Sequence, residues 1–202
     1  MIHPDTELRF ISDEIGVGVV ATRLIPKGTI VWIADELDIV LKEDFVDSLD
    51  EVRQKVVYKY SYLNEDGDYV INWDHSRYMN HSFRPNCIDT VFDFELAVRD
   101  ILPGEQLTCD YGIMGEDEEF ECLPEEGTNR TRVKADDYLH RYPLWDEWAR
   151  EAFRHFHAVE QPLKHLIKDE YIDEVNAVAA GLRPLPSILT LFTEDPEDED
   201  EA

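Results

Sequence analysis

Cysteine is scarce in this 202-residue sequence, with only Cys87, Cys109 and Cys122 present. So sparse and odd a set excludes a disulfide framework. No apolar run approaches the ~20 residues that span a bilayer, which excludes a membrane helix and a membrane partner. Met1 to Phe10 holds acidic residues and Pro4 in place of an apolar leader, so a soluble intracellular location is expected. Basic residues are also few: 19 Lys and Arg face 46 Asp and Glu, for a formal net charge of −27. That balance repels phosphate backbones, so direct nucleic-acid binding is not expected.

What is abundant is acid. Glu194 to Glu201 alone carries seven acidic residues and no basic one. Such a field attracts a basic protein or peptide and speeds its arrival; it equally keeps a chain soluble. The length fits one domain with an appendage and is enough to bury a core without staples.

Short β-branched and aromatic runs read as strands at Glu7–Ile11, Ile15–Thr22, Thr29–Ile33, Tyr69–Trp73, Cys87–Phe92, Phe94–Arg99 and Gln106–Cys109. Pro26-Lys27-Gly28 and Pro103-Gly104-Glu105 read as turns between runs. Helical spacing of Phe45, Leu49, Val52, Val56 and Tyr60 predicts one inserted helix over Glu43–Tyr60. Residues 115–137 read as a polar loop. After Pro143, two helical stripes follow: Trp145, Trp148, Ala152, Phe156 and Val159, then Leu163, Ile167, Tyr171, Val175, Val178 and Leu182. Pro184 and Pro186 are expected to end the second stripe. Strands and helices do not alternate, so a parallel α/β sheet is excluded and an α+β, mainly β fold is expected.

Three segments could carry chemistry. Gly16-Val17-Gly18 runs on into Val19, Val20 and Ala21 as a strand, so it is not a dinucleotide loop. Glycine in a strand marks either an irregularity or a close approach to a ligand. Arg77-Tyr78-Met79-Asn80-His81-Ser82-Phe83-Arg84-Pro85-Asn86-Cys87 packs amides and a histidine between apolar runs. It is either a loop capping its own backbone or a ligand site. His75, His81 and Cys87 match no recognised zinc spacing, so no metal is expected. Glu95 to Gly112 reads as strand, turn, strand, then Tyr111-Gly112, a tyrosine placed to face a cavity or an interface.

In this order and at these distances the segments resemble the SET-domain family of protein lysine methyltransferases. The likeness covers roughly residues 5–114, with Asn80-His81-Ser82-x-x-Pro85-Asn86 and Gly104-Glu105-x-Leu107-Thr108-x-Asp110-Tyr111-Gly112 as its most specific parts. Ser61-Tyr62-Leu63 resembles a further family segment. The resemblance implies a SET-type fold of small antiparallel sheets with a knot-like C-terminal crossing. It divides the chain into a catalytic domain at 5–114, a loop and helical extension at 115–190, and a disordered acidic tail at 191–202. It also implies S-adenosylmethionine as cofactor. Gly16, Val17, Gly18, Tyr62, Arg77, Tyr78, Asn80 and His81 would then hold the cofactor, with Phe120 over the adenine or packed on the helices. Tyr111 would be the catalytic residue, and Tyr62, Tyr78 and Tyr111 would line the substrate channel. The substrate implied is a lysine of a basic protein, histone-like or otherwise; neither the number of methyl groups nor an oligomeric state follows.

Free lysine is mostly charged, with an ordinary pKa of about 10.4. An aromatic channel and a nearby sulfonium would lower it. The proton would leave to water before the amine is buried, so no carboxylate base is expected. Two departures stand out. Phe83 occupies a position where many members carry a zinc-ligating cysteine, and only Cys122 follows the tyrosine motif. Some other contact must therefore close the channel, and 120–145 is the expected source. Asp89 stands where some members carry tyrosine. An inactive SET-fold binding module recruiting a basic protein is the competing reading.

Overall fold

The computed structural model describes residues 1–64, 66–114 and 119–191. The acidic tail, with the disorder expected of it, lies outside the described residues from 192 onward. The strands are β1 (Thr6–Ser12), β2 (Gly16–Ala21), β3 (Ile30–Ile33), β4 (Ile39–Leu41), β5 (Ser61–Leu63), β6 (Tyr69–Ile71), β7 (Asn80–His81), β8 (Cys87–Asp89), β9 (Phe94–Ala97), β10 (Thr108–Cys109), β11 (Phe120–Glu121) and β12 (Arg132–Val133). The helices are α1 (Glu43–Asp47), α2 (Glu51–Tyr60), α3 (Asp137–Phe153) and α4 (Asp169–Ala179). The fold is α+β, built on small sheets.

Those sheets are a β1-β2 hairpin, a three-stranded β3-β9-β8 sheet, a three-stranded β4-β6-β5 sheet and the β11-β12 ribbon, all antiparallel. The exception is the two-residue parallel pair β7-β10, which sets Asn80 beside Thr108 and His81 beside Cys109. Asn86 extends this contact. Its backbone N–H donates to Thr108 O, its side-chain amide to Gln106 O at 2.7 Å, and its Oδ1 accepts from Thr108 N at 2.9 Å. The chain from 80 to 86 thus wraps the strand leading to Tyr111.

The inserted helix differs from the single element expected. It breaks at Ser48–Asp50 because the Asp50 carboxylate accepts from Val52 N and Arg53 N and starts α2 afresh. The loop expected over 115–137 contains the β11-β12 ribbon, held by Arg132 across to Glu119 and Glu121. α3 starts before Pro143, at Asp137, and runs through the proline. Its buried stripe is Tyr138, Trp145, Ala149, Ala152 and Phe153; Trp148 is only half-buried, and Phe156 lies in a following 3-10 turn. α4 ends at Ala179 and is closed by Gly181, ahead of the prolines. Gly181 adopts φ +70 while Gly181 N and Leu182 N return to Val178 O and Ala177 O. This is a Schellman closure, which favours glycine.

The cores follow from these faces. Ile30, Phe94 and Leu96 on the β3-β9 face pack against Phe153, Phe156, Leu163 and Val175. Each such fully buried side chain contributes about 1.5–3 kcal/mol. The opposite face of the same sheet, with Cys87 and Ala97, packs on Val19, Ala21, Met79, Leu107 and Cys109. Tyr62, Tyr78 and Tyr111 rest half-buried on that second cluster.

Candidate active site

The two motif segments meet at Tyr111. Its backbone N–H donates to His81 Nδ1 at 3.1 Å, and its hydroxyl donates to the Met79 carbonyl at 2.6 Å. The ring lies 5.4 Å from the His81 ring and 6.4 Å from Phe120. With its hydrogen on Met79 O, the hydroxyl oxygen is an acceptor toward any further polar neighbour.

Because His81 Nδ1 accepts, the ring proton sits on Nε2. That atom is buried and has no hydrogen-bond partner among the described residues. Burial holds His81 below its ordinary pKa, against the pull of Asp110, whose Oδ1 lies 3.9 Å from Nδ1. The ring is therefore neutral, with one N–H available to a ligand.

Asn80 reaches the glycine strand. Its side-chain amide donates to Val17 O at 3.1 Å and to Gln106 Oε1 at 2.9 Å. A Cβ on Gly18 would stand 2.4 Å from Gln106 Oε1 and 2.7 Å from Asn80 Nδ2. Only glycine lets this strand approach. Gly16, by contrast, has open space beside it and φ +84. Both amide hydrogens of Asn80 are thus used inside the protein, which leaves its oxygen and backbone for a ligand.

The remaining aromatics are spread more widely. Tyr62 stands edge-on to Trp32 at 6.1 Å, and Tyr78 packs on Tyr60 at 5.3 Å with the Arg77 guanidinium over its ring. Burial, then the charges of Asp38, Asp89, Asp93 and Glu95, push the Tyr62 hydroxyl far above its usual range, so it stays neutral. Arg77 also donates to Asn72 O.

An arginine clamp ties the 125–130 segment to the residues beside Tyr111. Arg130 pairs with Asp110 and, at 2.6 Å, with Asp137. Its guanidinium lies 4.3 Å over the ring of buried Phe83. Burial opposes the charge on Arg130, but the hydrogen bonds and charges of both aspartates outweigh it. Glu125 accepts from Ser82 Oγ and Phe83 N, and Arg84 donates to Glu126 O. These contacts tie 125–130 to the segment beside His81. No group of three or more metal-ligating side chains occurs among the described residues. His75 Nε2 lies 2.9 Å from Thr6 Oγ1, and Cys87 Sγ contacts Asn86 Oδ1.

Gln106, Arg130, Asp137 and Trp32 were not legible as site residues. Gln106 holds an interior position of the Gly104–Gly112 motif, and Asp110 directly precedes Tyr111; those were the only signals. Arg130 and Asp137 lie outside every motif.

Small antiparallel sheets around crossed motif segments, with a glycine strand, an Asn-His pair and a tyrosine converging, define a fold of one recognisable class. Residues 16–112 match the family model of the SET domain, so this part of the chain is a SET domain. SET domains are commonly protein lysine methyltransferases and generally use S-adenosylmethionine, which places this chain in a methyltransferase-type family. No curated protein matches the sequence. No helix among the described residues is long and apolar enough to cross a membrane.

Proposed function

We propose that this protein transfers a methyl group from S-adenosylmethionine to a lysine side chain of a basic protein. The observation that carries the reading is the convergence at Tyr111, tied to Met79 and His81 beside an unpartnered His81 Nε2–H. A buried donor without an acceptor suits a cofactor with polar ring atoms. Gly16–Gly18, Asn80 and His81 would hold it, with Phe120 across the Tyr111 ring. The cofactor, when bound, supplies an electrophilic methyl group.

The residues then have separate tasks. Asn80 and Gln106 hold the glycine strand in place. Tyr111, its hydrogen committed to Met79 O, offers an oxygen that orients the incoming amine. Tyr62 and Tyr78 wall the approach and exclude water, favouring the neutral amine. Weak C–H···O contacts are worth ~0.5–1 kcal/mol each, whereas alignment supplies about 7–11 kcal/mol, so positioning dominates. The net charge of −27 supports a basic partner.

The test is label transfer. The full chain is incubated with labelled S-adenosylmethionine and basic proteins, and lysine is examined for label. Tyr111→Phe should lower turnover on the order of 10²-fold while cofactor binding is unchanged. Equal rates would remove Tyr111 from the chemistry. A chain that binds no cofactor would be a binding module.

A further inference from the structure

Strands β8 and β9 set two carboxylates opposite each other. Asp89 and Glu95 are register partners, so their side chains leave the same face with Cβ atoms about 4.5–5.5 Å apart. It is the face of Cys87 and Ala97, two residues along each strand, and both belong to the cluster on which Tyr62, Tyr78 and Tyr111 rest. Trp32 joins it from β3 as the other register partner of Glu95.

The niche is incomplete as it stands. Glu95 is 4% exposed, and its Oε2 has no hydrogen-bond partner among the described residues. Trp32 Nε1, beside it, is buried without an acceptor. The charges acting on the pair are acidic: Asp93 on Asp89, and Asp89 on Glu95. Two carboxyls this close, Glu95 buried and Asp89 half-buried, do not both ionise. Burial, then Asp93, raises Asp89 to about 7, and burial, then Asp89, raises Glu95 well above the carboxylate range. Buried carboxylates beside aromatic walls and lacking a cation match a primary ammonium, which donates to oxygen and sits well on ring faces.

We propose that the Asp89–Glu95 pair, walled by Trp32 and Tyr62, receives the ammonium of the substrate lysine and takes its proton. This rests on the methyltransferase reading above. One N–H bond of the ammonium breaks, its electron pair stays on nitrogen, and the proton forms an O–H bond on the ionised carboxyl. A cation and an anion become two neutral groups, and the amine is left with the lone pair that methyl transfer requires. The proton then need not escape to water before the amine is buried.

Other titratable groups face the pair. They are Tyr62 from β5, Asp38 and Asp93 from the flanking turns, Cys87 on β8 and Cys109 from β10. Arg99, the cation acting on Cys87, is engaged by Glu105 at 2.5 Å. Burial raises both thiols and Tyr62, so none of these three offers a competing base near neutrality.

The experiment titrates n-butylammonium, a lysine side-chain mimic, into the full chain and follows the Trp32 indole N–H by NMR. n-Pentanol is the neutral control. Wild type should show saturable binding that weakens as pH falls from 8 to 5.5, with no matching response to pentanol. Asp89→Asn and Glu95→Gln should each weaken binding about 10-fold, the size of one charged hydrogen bond. Both keep the shape of the side chain, so both should fold; Asp89→Asn suffices if Glu95→Gln does not. Equal binding by wild type and Asp89→Asn, or no saturable shift in wild type because water alone fills the niche, overturns the proposal. Lysine labelling without butylammonium binding sinks this pair and leaves the enzyme standing. Pair-dependent binding without labelling retains the ammonium site and removes the enzyme.

Discussion

Asp89 shows how one residue can carry a linkage to pH. Its folded acidity, raised to about 7 by burial and Asp93, lies above the ordinary 3.8. Between about pH 4 and 7 the folded chain therefore holds a proton that the unfolded chain has released, and stability falls as pH rises. Glu95, also raised, extends the loss upward. His81 and His3, both lowered by burial, act in the opposite sense, since their stabilisation is lost as pH falls below about 6.5. Asp89→Asn isolates the carboxyl: the variant should melt above wild type at pH 8, with the difference vanishing below about pH 4. A difference in Tm that does not vary with pH would show that Asp89 is not buried at the cost described. Asn80 makes a different point. The motif marks it as a ligand residue, yet its amide hydrogens hold Val17 and Gln106, so part of its work is to shape the glycine strand.

At the level of elements, the β11-β12 ribbon and the start of α3 are held to the core by Arg130. Its side chain is 14% exposed, and it balances Asp110 and Asp137, which are nearly inaccessible. Removing the cation strips Asp110 of its arginine and leaves Asp137 with only Arg141 at 3.7 Å, so Arg130→Met should cost about 3–5 kcal/mol. Thermal unfolding measures this, and limited proteolysis should show cleavage near 119–133. A loss under about 1 kcal/mol would mean that the clamp is replaceable by packing. The main strands were legible as elements because β-branched and aromatic runs bounded by turn residues mark them. Their ends were less so: β8 stops at Asp89 because Thr90–Asp93 turns, with Asp93 at φ 57, where aspartate is tolerated. The break between α1 and α2 escaped a helical spacing that continues across it, since only the Asp50 cap marks the boundary.

For the whole molecule, the charge of −27 acts at a distance that no single contact reaches. If it steers a basic substrate, raising salt from 50 to 500 mM should lower kcat/KM on the order of 10-fold while kcat holds, because exposed charges are screened beyond the Debye length. A salt-insensitive kcat/KM would assign the charge to solubility. What the sequence determined by itself is the family, through Asn80-His81 and Asp110-Tyr111-Gly112, and the exclusion of disulfide and cysteine-zinc architectures. Local chemistry suffices for both, since the motifs are contiguous and the missing cysteines can be counted. Only the tertiary structure decided that Arg130 joins Asp110 to Asp137, that Gln106 supports Asn80, and that Asp89 faces Glu95 beside Trp32. Those partners lie on different strands and loops, and their pairing is set by register and packing, which leave no contiguous trace along the chain.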